Sequence, residues 1–164
     1  AGVGKGTLYR RFANKGELCL ALLDTQMRDF QNKTFAYMQQ SAADGVPSLV
    51  QLTEFINSLV YFTEDHAPLL CEVQREGMLE EFSDADAQLP HIWQHMTVSG
   101  LLKTAVFNNE ISPTIDIDYT ADALLAPLKA DIFRFQRTVR GFSLARISAG
   151  LQRLIMGLSH IDAE

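Results

Sequence analysis

The chain has 164 residues and a formal net charge of −6, with 47% hydrophobic and 21% charged residues. This length and composition fit one globular domain, with room for part of a small second one. No apolar run reaches the roughly eighteen residues that would span a bilayer, so no membrane partner is predicted. Cys19 and Cys71 are far apart and lack metal-ligand spacing, which favours reduced thiols and a cytoplasmic location.

The first sixteen residues differ in charge from everything that follows. They contain four basic residues and no acidic one, whereas the rest of the chain holds 10 Lys or Arg and 20 Asp or Glu. A short basic segment on an acidic body indicates that this end of the chain meets a polyanion.

The same segment has a recognisable helical pattern. Leu8 and Phe12 are four positions apart and share one face of a short predicted helix, and Gly2 lies before it where a tight turn is expected. A glycine turn followed by a short helix with an exposed polar face is the second half of a helix-turn-helix. In that motif the second helix enters the major groove of DNA.

The segment closely resembles the DNA-binding signature of TetR-type (tetracycline-repressor-like) transcription regulators. The matching pattern is Gly2-Val3-x-Lys5-Gly6-Thr7-Leu8-Tyr9-x-x-Phe12-x-x-Lys15-x-x-Leu18. It covers the back half of the family's DNA-binding domain, so the family's first helix and most of its second would precede Ala1. The resemblance implies a ligand-responsive regulator, most often a repressor, that binds double-stranded operator DNA as a homodimer.

The resemblance also implies which residues contact DNA. It places contacts at Lys5, Gly6, Thr7 and Tyr9, and a phosphate contact at Lys15. Arg10 occupies a position that varies in such proteins and tunes sequence choice. Thr7 has a second interpretation, as the N-cap of the short helix.

Two alternatives compete for the basic segment. Gly4-Lys5-Gly6-Thr7 also resembles the end of the phosphate-binding loop of nucleoside monophosphate kinases. That chemistry needs strands around the loop, whereas this chain reads as helical throughout. The other alternative is a solvated basic helix end without a partner. With no catalytic pair in a recognisable frame, we predict a binding protein without a cofactor, and not an enzyme.

The hydrophobic pattern predicts an all-α fold. In chain order, helices are expected over about 15–40, 48–64, 68–81, 89–108, 119–135 and 142–161, with a kink at Pro127 inside the fifth. A partial helix-turn-helix head with its connecting helix is assigned to residues 1–33. A helical ligand-binding and dimerisation domain is assigned to residues 34–164.

The middle helices carry the aromatic and Met residues that suit a flexible apolar pocket. The family's pocket lies between such helices, so a site for a hydrophobic or aromatic effector is predicted there, with plain core packing as the alternative for each residue. The candidates are Phe55, Leu59, Phe62, Trp93, Met96 and Phe107.

Apolar residues of the last helix repeat at intervals of three and four. In the resembled family the last two long helices of each subunit form the dimer interface, which leads us to expect that interface here. The predicted interface residues are Leu144, Ile147, Leu151, Leu154, Ile155 and Leu158.

Two histidines of the fourth predicted helix have the spacing of metal ligands. His91 and His95 are four apart and could share a metal on one helical face, but no Glu or Cys is spaced to complete the set. Histidines on the surface or at a pocket rim are the preferred interpretation, and no metal is predicted. A helical dimer that binds a ligand but not DNA stays open as a second function.

Overall fold

The computed structural model describes residues 12, 14–75 and 90–160. Its first helix, α1, spans Lys15–Ala43 and has 29 residues, which confirms the long helix predicted from residue 15. The Asn14 side chain caps it by accepting a hydrogen bond from the Glu17 amide at 2.8 Å. The chain turns just after the helix, at Gly45, whose φ of 70° is a left-handed conformation open to glycine.

The second helix, α2, spans Ser48–Arg75 without a break. The predicted end near His66 and new start at Pro68 are therefore wrong. Pro68 lies inside the helix, where it cannot donate a hydrogen bond to the Glu64 carbonyl. Buried side chains on both sides of it, such as Val73, hold the two halves against the core. Tertiary packing thus outweighs the local signal of the proline.

The remaining helices are α3 at Pro90–Phe107, α4 at Ile117–Leu125, α5 at Ala130–Thr138 and α6 at Leu144–Gly157. A 3₁₀ turn at Ala126–Leu128 contains Pro127 and separates α4 from α5. The kink predicted within one helix is thus a break between two short ones. Ser143 caps α6, since its side chain accepts a hydrogen bond from the Arg146 amide at 3.1 Å.

Helix α2 is the centre of the fold. It packs against α1, α3, α5 and α6, and α3 packs in turn against α4. The largest fully buried side chains come from all of these layers: Leu23, Leu52, Phe55, Ile56, Leu59, Leu102, Leu125, Phe133 and Ile155. One continuous core therefore forms around α2.

The described residues form helices and turns, with no strand among them, so the all-α prediction is confirmed. Within the same ranges no helix has both the length and the apolar character needed to cross a membrane. The predicted helix-turn-helix lies almost wholly outside the described residues and stays a prediction. The predicted domain boundary at residues 33 and 34 falls in the middle of α1, which continues unbroken through it.

Candidate functional site

The predicted DNA contacts fall mostly outside the described part of the chain. Lys5, Gly6, Thr7, Tyr9 and Arg10 belong to residues 1–11, which are not described. Lys15 is described, and it is the first residue of α1. It therefore marks the point at which the basic segment joins the helical body.

Lys15 contacts the body through an ion pair with α2. Its Nζ lies 3.2 Å from Oε2 of Glu72, and Oε1 of the same carboxylate accepts a hydrogen bond from Arg75. Glu72 is only 9% exposed, whereas both cations are largely open to solvent. A nearly buried carboxylate thus holds the predicted phosphate-contacting lysine against α2.

Five rings form a continuous aromatic cluster between α1, α2 and α3. Phe30 of α1 stacks on Phe62 of α2 with ring centroids 4.6 Å apart, and His66 stacks on the other side of Phe62 at 4.3 Å. The Trp93 ring of α3 lies edge-on to both Phe30 and Phe55, at 5.8 and 5.6 Å. Such edge-to-face and offset pairs stabilise the contact beyond simple burial. A displacement of Phe30 therefore alters the packing between three helices.

A solvent-facing groove of about 520 Å³ lies beside this cluster, between α1 and α2. We call it the α1/α2 groove. Its aromatic lining is Phe30, Tyr37, Phe55, Tyr61 and Phe62, and its charged lining is Lys33, Glu54 and Asp65. The volume lies within the roughly 300–1,000 Å³ range of small-molecule sites.

The structure divides the six predicted ligand-binding residues. Phe55 and Phe62 line the α1/α2 groove, Trp93 packs behind it in the aromatic cluster, and Leu59 is wholly buried in the core. Met96 and Phe107 are 65% and 84% exposed and do not line this groove. These two therefore lie outside this groove, and the sequence did not indicate that, because α3 is apolar nearly all around and does not show which face turns inward.

Sequence reasoning missed the α1 side of the groove. The α1 residues that line it are Phe30, Lys33, Thr34 and Tyr37. The last three lie three, four and seven positions after Phe30, which is the spacing of a single helical face. That spacing could have indicated the groove from the sequence. However, the four positions hold both polar and aromatic residues, so they do not form the apolar stripe by which a buried helical face is recognised.

A second groove, of about 660 Å³, lies between α2 and α5. Its main polar feature is a two-point contact in which Arg137 donates from Nε and Nη2 to the Glu64 carboxylate at 3.0 and 2.7 Å. The hydrogen bonds from Arg137 lower the pKa of Glu64, and the carboxylate raises the pKa of Arg137. Nη1 of Arg137 donates to the Phe142 carbonyl at 2.5 Å. Because all three donor nitrogens are engaged, Arg137 joins α2 to the α5–α6 connection and is not offered to a ligand.

The two neighbouring histidines lie against α4. Nε2 of His95 lies 3.5 Å from Oδ1 of Asp122, and burial together with nearby Lys129 lowers the pKa of His91. Within the described ranges, no three His, Cys, Asp or Glu side chains come close enough together to hold a metal ion. The His95–Asp122 contact therefore acts between helices.

The predicted dimer residues of α6 differ in their exposure to solvent. Ile147, Leu151 and Ile155 are buried in the core of this same chain, because α6 packs on α2, and Leu144 and Leu158 are half-buried. For the three buried residues the interface assignment is corrected to a core assignment. Leu154 is 59% exposed and lies on the outer face of α6 with Gly150 and Gly157. In the described part of the chain, no atom of another element lies within 4 Å of where a Cβ would be at either glycine.

Comparison with protein-family models, with curated proteins and with solved structures finds no match to this chain.

Proposed function

We propose that this chain is a ligand-responsive transcription regulator of the TetR type, which acts in the cytoplasm. In this proposal the basic N-terminal segment binds operator DNA, and a small hydrophobic or aromatic effector releases it. The proposal rests on the sequence signature over residues 2–18 and on how α1 connects that signature to the body.

The observation that carries the proposal is the continuity of α1. One uninterrupted helix holds Lys15 at its first position and Phe30 in the aromatic cluster. The two residues are roughly 22 Å apart along the helix axis, at 1.5 Å per residue. A ligand that displaces Phe30 therefore moves the end of the helix that bears the predicted DNA contacts.

Control by the ligand then takes the form of a population shift. An occupied α1/α2 groove favours one placement of α1 over another, and DNA favours the placement in which both recognition helices of a dimer meet successive grooves. The ligand releases DNA to the extent that its affinities for the two placements differ. Because Lys15 is paired with Glu72 in this structure, the DNA-bound state must also transfer that lysine from a carboxylate to a phosphate.

We also propose that the chain forms a homodimer, but through a different surface of α6 from the one predicted from the sequence. The outer face of α6, around Leu154, replaces the buried side of that helix as the proposed contact between subunits. A two-fold dimer suits operator DNA, since its two heads reach half-sites about one helical turn apart.

A ligand-binding helical module without DNA binding is the second candidate, and the α1/α2 groove is the observation in its favour. The nucleotide kinase is less well supported, because its phosphate-binding loop lies in a sheet and residues 14–75 and 90–160 contain no strand.

The deciding experiment is a DNA titration of the full-length protein against its own upstream region at two salt concentrations. We expect tight, sequence-selective binding that weakens steeply as salt is raised, because Lys and Arg contacts to phosphate release counterions. A scrambled duplex of equal length and composition is the control. Equal affinity for both duplexes, or no binding at low salt, contradicts the regulator and leaves the ligand-binding module.

A further inference from the structure

The α1/α2 groove combines aromatic surface with charged side chains that have no partner among the described residues. Phe30, Phe55 and Phe62 form its floor, and the Phe30 ring stacks on each of the other two. Tyr37 and Tyr61 also line it, and they remain 38% and 47% exposed. Exposed aromatic rings on both walls of a cavity offer flat π-faces to whatever enters it.

The charged side chains of the groove are not neutralised by any other residue that the structure describes. Glu54 and Asp65 are exposed, and neither accepts a hydrogen bond or ion pair from any residue in the ranges 14–75 and 90–160. Lys33 on the opposite wall is likewise unpaired within those ranges. Two carboxylates and one ammonium group leave the lining with a net charge of −1.

These two properties favour the same kind of ligand. Aromatic faces attract cations through their quadrupole, and most strongly when the cation is poorly hydrated. A carboxylate nearby adds attraction for a cation and repels an anion. A large organic cation with delocalised charge gives up little hydration on entering and also covers the apolar floor.

We propose that the α1/α2 groove binds a lipophilic organic monocation, such as an aromatic ammonium or phosphonium ion. As the class of effector, this assignment rests on the proposed function, but the binding itself needs no DNA. Glu54 and Asp65 select for the positive charge, the aromatic lining holds the apolar body, and Lys33 limits affinity by repulsion.

The test compares two ions of nearly the same shape and opposite charge. Tetraphenylphosphonium and tetraphenylborate are each titrated into the full-length protein by calorimetry, without DNA. Trp93 is the only tryptophan of the chain and packs on the groove floor, so its fluorescence gives a second readout. We expect the phosphonium ion to bind at least tenfold more tightly than the borate ion and to change Trp93 emission.

Charge variants of the lining test the roles of individual residues. Glu54→Gln and Asp65→Asn should each weaken phosphonium binding about threefold, as expected for one exposed charge. Lys33→Gln should strengthen it by a similar factor, a gain that a misfolded variant would not show. Asp24→Asn is the matched control, because it removes a charge from α1 outside the groove and should leave binding unchanged.

Equal affinities for the two ions, or tighter binding of the borate, overturns the proposal. It is equally overturned if Lys33→Gln, Glu54→Gln and Asp65→Asn all behave like Asp24→Asn. Because no DNA is present, these outcomes are distinct from failure of the regulator: a chain that binds phosphonium but no operator retains the groove and loses only the DNA function.

Discussion

Glu110 shows how one residue outside a helix fixes where that helix begins. Its carboxylate accepts hydrogen bonds from the Ser48 and Leu49 amides at 2.8 and 2.9 Å, and these amides are at the start of α2. Burial alone would raise the pKa of Glu110, but the hydrogen bonds from Leu49, Ser48 and Asn108 outweigh it and lower the pKa below its ordinary value of 4.5. The negative charge also suits the positive end of the helix dipole.

This geometry predicts a pH-dependent contribution to stability. The folded chain binds the Glu110 proton more weakly than the unfolded chain does, so the contribution is complete above pH 4.5 and is lost as pH falls below it. Glu110→Gln should lower the free energy of unfolding by about 1 kcal/mol at pH 7. Its loss of stability between pH 7 and pH 3.5 should be smaller than that of the wild type.

Urea unfolding at both pH values measures the effect. Asp29→Asn is the control, since Asp29 is exposed and accepts no hydrogen bond from another residue of the described ranges. A Glu110→Gln variant with the wild-type pH profile would show that the two amides do not depend on the charge.

At the scale of the helix, Pro68 lowers the stability of α2 because it removes one backbone hydrogen bond. It is exposed, and the amide it lacks would otherwise bond to the Glu64 carbonyl. Pro68→Ala restores that bond and should raise the free energy of unfolding by about 1 to 3 kcal/mol. Chemical denaturation at pH 7 is the measurement.

Pro47→Ala is the comparison for this change. Pro47 is also exposed, but it precedes α2, where a proline restrains the unfolded chain without breaking a helical bond. That variant should be no more stable than the wild type. A loss of stability in Pro68→Ala would mean that the proline ring contributes more to the folded state, or restrains the unfolded chain more, than the restored hydrogen bond gains.

The ion pair between α1 and α2 gives a prediction that depends on the proposed function. Glu72→Gln keeps the shape and the contact to Arg75 but removes the charge that holds Lys15. The freed lysine should raise operator affinity two- to fivefold, which is about 1 kcal/mol or less for one partly exposed pair.

Asp24→Asn makes the same change in net charge at an exposed ion pair with Arg28. It should alter operator affinity less than Glu72→Gln does in the same binding assay. If the two variants shift affinity equally, the effect is one of overall charge, and the Lys15–Glu72 contact plays no part in control.

At the scale of the whole molecule, the outer face of α6 is the proposed contact between subunits. Leu154→Glu places a charge on that face without entering the core, because Leu154 is exposed. Sedimentation equilibrium should find a dimer for the wild type and a monomer for the variant, with an unchanged melting temperature. Phe107→Glu, which charges an exposed residue of α3, should remain dimeric. A wild-type monomer at micromolar concentration would contradict the dimer.

The sequence by itself determined the helical class and most of the helix positions. Runs without Pro or Gly and strong local caps, such as Asn14 and Ser143, fix helix starts through contacts within one turn. These interactions are local, so they can be read from neighbouring residues. The basic segment and its resemblance to a DNA-binding signature are likewise properties of the sequence alone.

Only the tertiary structure decided which side of each helix faces inward. Helix α2 continues through Pro68. Ile147, Leu151 and Ile155 of α6 lie in the core. Phe30 and Tyr37 of α1 line a groove opposite Tyr61. The physical reason is that the hydrophobic effect is not directional: an apolar side chain gains similar free energy when it is buried in the core, against a ligand or against a partner. Which of these it meets depends on elements distant in sequence, and a single chain read in order does not contain that information.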